Sequence, residues 1–243
     1  MPRGSRGLVV GVVGATGMVG RELIHLLHKT RLPVKELKPF SSGESRKSVV
    51  FRGKTLAAPS IYLRELQSCN LVFFVSSDEV SIKHAPSLAA RGVFVIDDSA
   101  AFRLDPKVPL VIPEVNDHVL SRDTRLIAGP NCTMTPLAVA GIALHRAAGV
   151  CEVRLATYQS VSGAGRAALE EFFQQTASLG RLSMKDRAPV LPAAKHRALP
   201  RPIACNVIPQ VGRFDAEGVS GEERKVASEL RKVWAAPNMA VSV

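Results

Sequence analysis

The stretch Gly11-Val12-Val13-Gly14-Ala15-Thr16-Gly17-Met18-Val19-Gly20 restricts the possible fold more than any other, because it joins two runs of different periodicity. Leu8 to Val13 reads as the opening strand. Beyond Gly17, the apolar residues Val19, Leu23, Ile24, Leu26 and Leu27 recur at helical spacing, with Arg21, Glu22 and His25 between them. Glycines at such a junction let a strand turn sharply into a helix and let backbone N–H groups approach a pyrophosphate, whose charge the helix dipole favours. Glycine spacing alone also fits a tight turn that binds nothing. A strand before it and a helix after it is the context that points to a dinucleotide. Gly14, Ala15, Thr16, Gly17, Met18 and Val19 are the residues this reading places around it.

The alternation continues. Leu37 to Phe40, Leu71 to Val75 and Val93 to Asp97 read as strands, and Val80 to Ala90 reads as a helix, which predicts a Rossmann-type, doubly wound parallel sheet over residues 1–130. Near Asn131 the order changes to a helix from Pro136 to Ala148, a long strand from Glu152 to Ser160 and a helix from Arg166 to Leu179. Arg181 to Pro202 is basic, proline-rich and aperiodic, and is expected to be an irregular surface excursion. A last amphipathic helix spans Gly221 to Trp234, and Met239 to Val243 resembles the opening of a strand. Residues 131–243 are thus expected to form a second α/β domain.

A net charge of +11 raises the question of nucleic acid, but the basic residues are dispersed, are not interleaved with aromatics and form no nucleic-acid-binding motif. Small anionic molecules suit that balance better. The longest apolar runs, Leu71 to Val75 and Leu137 to Leu144, fall far short of the roughly 20 residues of a bilayer span. The first residues lack the apolar region of a secretory signal, so a cytoplasmic protein is expected. Cys69, Cys132, Cys151 and Cys205 are scattered without paired spacing, which predicts free thiols and no metal site.

Among them Cys132 stands out. In Gly129-Pro130-Asn131-Cys132-Thr133-Met134-Thr135-Pro136 it precedes a helix whose first residue is expected to be Pro136. A thiol at a helix N-terminus has its pKa lowered from about 8.5, and the thiolate is the form that attacks a carbonyl. A buried, inert cysteine fits the position equally well. After the second strand, Ser41, Ser42, Arg46 and Lys47 could hold a 2′-phosphate, whereas Glu44 suits a free ribose hydroxyl.

Taken together, Gly14 to Gly20, Ile96-Asp97-Asp98-Ser99-Ala100-Ala101-Phe102-Arg103, Val111 to Asn116, Gly129 to Cys132, Thr157 to Gly165, Asn206 to Pro209 and Gly221 to Lys225 resemble aspartate-semialdehyde dehydrogenases along nearly the whole chain. The resemblance implies NADP as cofactor, with NAD open, and reduction of aspartyl 4-phosphate to aspartate 4-semialdehyde through a thioester. It makes Cys132 the nucleophile and Gln159 the residue that orients the acyl group. Arg103 and Lys225 would hold phosphate, Glu222 the substrate amino group, and Asn131 and Asn116 would line the cleft. Ser162 and Gly163 join Ser41 and Ser42 in the implied cofactor set. A homodimer or homotetramer is implied, with no nucleic acid, membrane or metal.

Three departures follow from the same resemblance. Gly43-Glu44 stands where the family presents an arginine-serine pair, and Cys205 where it presents an aromatic residue. The family also carries an arginine and then a glycine-histidine pair after the segment that ends here at Val243, so the second domain is expected to be C-terminally truncated, less stable and prone to associate. Without that histidine base turnover is expected to be impaired. His25, His28, His84 and His145 sit in helix patterns, and His118 and His196 in loops. N-acetyl-gamma-glutamyl-phosphate reductase shares the plan but has glycine before its cysteine, where this chain has Asn131. A non-catalytic relative that keeps the cofactor fold is the other alternative.

Overall fold

The computed structural model describes residues 7–41, 47–181 and 195–243. Its strands and helices, in chain order, are β1 (Leu8–Val13), α1 (Met18–Lys29), β2 (Val34–Phe40), β3 (Lys47–Phe51), β4 (Lys54–Ala58), α2 (Leu63–Gln67), β5 (Leu71–Phe74), α3 (Asp78–Ala90), β6 (Phe94–Asp97), α4 (Pro113–Asn116), β7 (Leu126–Ala128), α5 (Met134–Ala148), β8 (Glu152–Arg154), α6 (Arg166–Gly180), α7 (Gly221–Val233) and β9 (Ala240–Ser242). The chain packs as two compact units, Met1–Val153 with Ser228–Ala240, and Arg154–Ala227 with Val241–Val243.

The first unit is built on a 5-stranded sheet of order β2-β1-β5-β6-β7, parallel at every pairing. Val10, Val12, Val72, Phe74 and Val95 are fully buried, as expected where both sheet faces are covered. Helix α1 buries Gly20, Ile24 and Leu27, while Val19 and Leu26 of the same helical pattern are exposed. The register decides where chemistry can sit. Val13 pairs with both Phe40 and Phe74, Phe74 with Asp97, and Asp97 with Ala128. The carboxyl ends of all five strands therefore form one row, and the loops that follow them open on one edge, where ligands of such sheets bind.

Beside the sheet, β3 and β4 form an antiparallel hairpin around Arg52 and Gly53, at φ +49° and +76°. Two successive positive φ values mark a turn whose twist matches the strands. Arg52 is held there by donating to the Val34 carbonyl at 2.8 Å and by lying 5.0 Å from the centre of the Phe51 ring.

Several expected elements are corrected. Helix α5 begins at Met134, so Pro136 is its third residue and not its first. The long strand expected over Glu152 to Ser160 is a strand only over Glu152–Arg154, beside β9, and the last backbone bond between them runs from Leu155 N–H to the Ser242 carbonyl at 2.8 Å. Of the irregular stretch Arg181 to Pro202, residues 182–194 lie outside the described residues.

In the second unit α6 organises the following loop. Gln175 accepts from the Ile203 and Ala204 amides at 2.9 and 3.1 Å and donates to the Lys195 carbonyl at 2.9 Å. Ser220 and Glu223 then start α7 as a reciprocal cap, each side chain accepting from the other residue's backbone N–H. Among the described residues no helix is long and apolar enough to cross a membrane.

Candidate active site

The glycine turn lies where the chain, having placed β2 on one side of β1, crosses to β5 on the other, the topological switch point of the sheet. Gly14 has φ +86°, and a Cβ there would collide with the Val75 carbonyl in the loop after β5. The Gly14 and Ala15 amides donate to the Phe40 carbonyl at 3.0 Å each, and the Gly17 amide donates to the Gly14 carbonyl at 3.0 Å, which fixes the turn. Gly17 caps α1 with no side-chain bond, and the helix's first turn carries no acidic residue. The amides of Met18 and Val19 therefore begin a helix whose positive end is open to an anion. A backbone stripped of side chains at a helix N-terminus fits the pyrophosphate of a dinucleotide.

Of the other residues expected at the cofactor, Ser41 is buried directly after β2, its amide donating to the Pro59 carbonyl at 2.9 Å. Ser42 lies outside the described residues, as do Glu44 and Arg46. Ser162 and Gly163 occupy a single 3₁₀ turn, Val161–Ala164, in the second unit.

The loop after β7 carries Cys132, which is exposed. Asn131, buried, shapes this turn: its Oδ1 accepts from the Thr133 and Met134 amides at 2.7 and 3.1 Å, and its carbonyl accepts from the Thr135 amide at 3.1 Å. That side-chain cap is why α5 starts before Pro136. The thiol thus stands at the lip of a helix N-terminus on the same sheet edge as the glycine turn.

Arg103, in the loop after β6, donates from Nη2 to the Asp98 carbonyl at 2.8 Å and from Nη1 to Glu229 at 3.2 Å. Its Nε is buried with no partner among the described residues. The loop itself is gripped from α7 by Lys232, whose ammonium donates to the carbonyls of Arg103, Asp105 and Val108 at 2.7 to 2.8 Å. Desolvation there lowers the lysine's pKa, while Asp105 and Glu229 oppose that shift. Asp98 keeps an exposed edge, yet desolvation pushes its carboxyl up, Arg103 opposes this, and Asp97 and Glu229 add to it. A carboxyl raised in the folded state favours the fold below its unfolded value, a contribution lost as pH rises through the folded value. Asp98→Asn is accordingly expected to raise the melting temperature at neutral pH and to bring no gain in acid. Solvent screening keeps the shift small, and thermal melts at both pH values check it.

Gln159 and Glu222, expected to handle the substrate, meet in the second unit, Gln159 Nε2 donating to Glu222 Oε1 at 3.3 Å. Lys225 is exposed on α7, where Glu222, Lys225 and Glu229 fall at helical spacing on one face. Glu229 is a further residue of the site, one that no sequence pattern singles out, because both of its partners are distant in the chain. Asn116 is buried and clamps its own loop: Oδ1 accepts from the Ile112 amide and Nδ2 donates to the Leu110 carbonyl, both at 2.8 Å. His145 stacks on Trp234 with ring centres 4.9 Å apart.

The sequence model of the semialdehyde dehydrogenase NAD-binding domain matches residues 9–122, and that of the semialdehyde dehydrogenase dimerisation domain matches residues 142–243. An aspartate-semialdehyde dehydrogenase of Bacillus subtilis is 35% identical over 238 residues, covering 98% of this chain and 68% of the relative. The chain belongs to the aspartate-semialdehyde dehydrogenase family. The family member of Rickettsia conorii is 36% identical, over 92% of this chain and 64% of its own length. The chain spans about two thirds of the length of the curated relatives it matches. Among solved structures, aspartate-semialdehyde dehydrogenase II of Vibrio cholerae superposes with a TM-score of 0.88 at 34% identity, covering 98% of this chain and 69% of that one. The Vibrio enzyme complexed with ASA superposes with a TM-score of 0.87 at 33% identity, over the same shares of the two chains.

Proposed function

We propose that this family member carries out the chemistry its relatives' name describes, the NADPH-dependent reductive dephosphorylation of aspartyl 4-phosphate to aspartate 4-semialdehyde. The observation that carries the reading is the exposed Cys132 on a turn held by Asn131, on the same sheet edge as the glycine turn and the Arg103 loop. The Cys132 thiolate attacks the acyl carbon, the carbon–oxygen bond to phosphate breaks, and phosphate leaves toward Arg103 and Lys225, whose cations neutralise it. Gln159 orients the acyl oxygen, and Glu222 pairs with the substrate ammonium. The nicotinamide cofactor, when bound at the glycine turn, supplies the hydride that reduces the thioester carbon. The carbon–sulfur bond then breaks, the aldehyde departs and Cys132 is returned as thiolate. Residues 1–130 hold the cofactor, and residues 131–243 bring the nucleophile, the substrate contacts and the surface for a homodimer or homotetramer, in the cytoplasm. NADP is favoured over NAD by the resemblance, with Ser41 at the ribose end.

The reverse reaction tests this directly. Reduction of NADP by aspartate semialdehyde is expected to require inorganic phosphate, because phosphate is the group that releases the acyl chain from Cys132. A rate indifferent to phosphate, or a folded chain with none, overturns the proposal.

A further inference from the structure

Two buried carboxylates stand behind the strand-end loops. Asp97, wholly buried, accepts from the hydroxyls of Ser81 and Ser99 at 2.5 and 2.7 Å. Glu229, 1% exposed, is used differently, because its two oxygens serve two separate loops. Oε2 accepts from the Asn131 backbone N–H at 2.6 Å, and Oε1 accepts from Arg103 Nη1 at 3.2 Å. A carboxylate at that depth is tolerated only when paired and hydrogen-bonded, so it draws both donors to itself. Asp98 and Lys232 are the other charged groups that act on this cluster.

We propose that Glu229 is a positioning residue for the reaction proposed above: one buried carboxylate fixes the Arg103 guanidinium and the Asn131–Cys132 turn relative to each other. The anion-holding group and the nucleophile thereby share a support, and a displacement of either is felt by the other. The inference rests on the reading of Cys132 as nucleophile and Arg103 as phosphate ligand. The backbone N–H that Glu229 holds belongs to the residue immediately before the thiol, and the helix cap on Asn131 transmits its position to α5. Glu229→Gln keeps the shape but offers one acceptor oxygen and an NH₂ group, so one of the two donors loses its partner.

The test is the alkylation rate of Cys132 by iodoacetamide across pH, with and without inorganic phosphate, read on the Cys132 peptide by mass spectrometry so that Cys151 and Cys205 do not contribute. Glu229→Gln is expected to melt cooperatively and keep the Trp234 emission. Its Cys132 pH–rate profile is expected to shift, with a rate at neutral pH changed about tenfold, the size of one charge-assisted hydrogen bond. Glu65→Gln, which breaks a surface pair with Lys38, leaves the profile as in the native chain. A folded Glu229→Gln with the native profile overturns the proposal. Should that variant fail to fold, Glu229→Asp decides on the same profile, and failure of both to fold overturns it as well, since the carboxylate then serves the fold alone. A native chain whose Cys132 rate ignores phosphate counts against Arg103 as the phosphate ligand, while the difference between native and Glu229→Gln profiles still decides the role of Glu229.

Discussion

Cys132→Ala is expected to lower phosphate-dependent reduction of NADP by at least about 10⁴-fold, the scale of losing a covalent nucleophile. The methyl group cannot form the thioester, and water in its place would hydrolyse an acyl phosphate without reducing it. Cys132 is exposed and takes no place in the core, so the melting temperature and cofactor affinity are expected to stay near those of the native chain. This separates a catalytic role from a structural one, because a cysteine needed for packing would lower both. Cys69 supplies the contrast: it is buried, and desolvation pushes its thiol up to about 11, which keeps it protonated and inert. An unchanged rate in Cys132→Ala would mean that the turnover arises elsewhere.

The parts of this fold that were legible in sequence are those in which a local pattern and the tertiary structure demand the same residues. The β1–α1 turn is one, because an apolar run, a glycine turn and a helical stripe sit side by side in twenty residues' reach of each other. The Cys132 turn is another: the sequence places it at a helix start, although that start lies two residues before Pro136. Pro136 is a strong local signal for a first helical residue. Asn131 competes with it through a side-chain cap that no periodicity reports, and the cap moves the start to Met134. The β3–β4 hairpin has no clear local signal, because Arg52 takes a positive φ more usual for glycine or asparagine and is held by the Val34 carbonyl, which lies outside the turn.

Glu229 shows the limit most clearly. As sequence it is one acid in a charged amphipathic helix, where a solvated face is the ordinary reading. Its partners lie 98 and 126 residues away, so no local pattern predicts that it is buried or what it holds. Asn116 is the local counterpart, its side-chain bonds falling within its own loop. In both cases the deciding quantity is which polar groups must be satisfied once the strand-end loops are packed, and that is settled by the sheet register.

Gly14→Ala is expected to lower stability by about 2–5 kcal/mol and cofactor affinity by at least about tenfold, because two separate penalties meet at this position. The first is conformational: at φ +86° an L side chain is strained by roughly 1–2 kcal/mol. The second is steric, since the added methyl would run into the Val75 carbonyl, and backbone cannot rotate away as a side chain can. Either the turn after β1 or the loop after β5 must move, and these two loops flank the crevice where the pyrophosphate is expected. Gly92→Ala isolates the first penalty, because Gly92 has nearly the same φ, +85°, and nothing within 4 Å of an added Cβ. Denaturant melts of the two variants beside the native chain, with NADP titrations by fluorescence, separate the terms. If Gly14→Ala proves as mild as Gly92→Ala and binds NADP normally, the close approach of the two loops does not define the cofactor crevice.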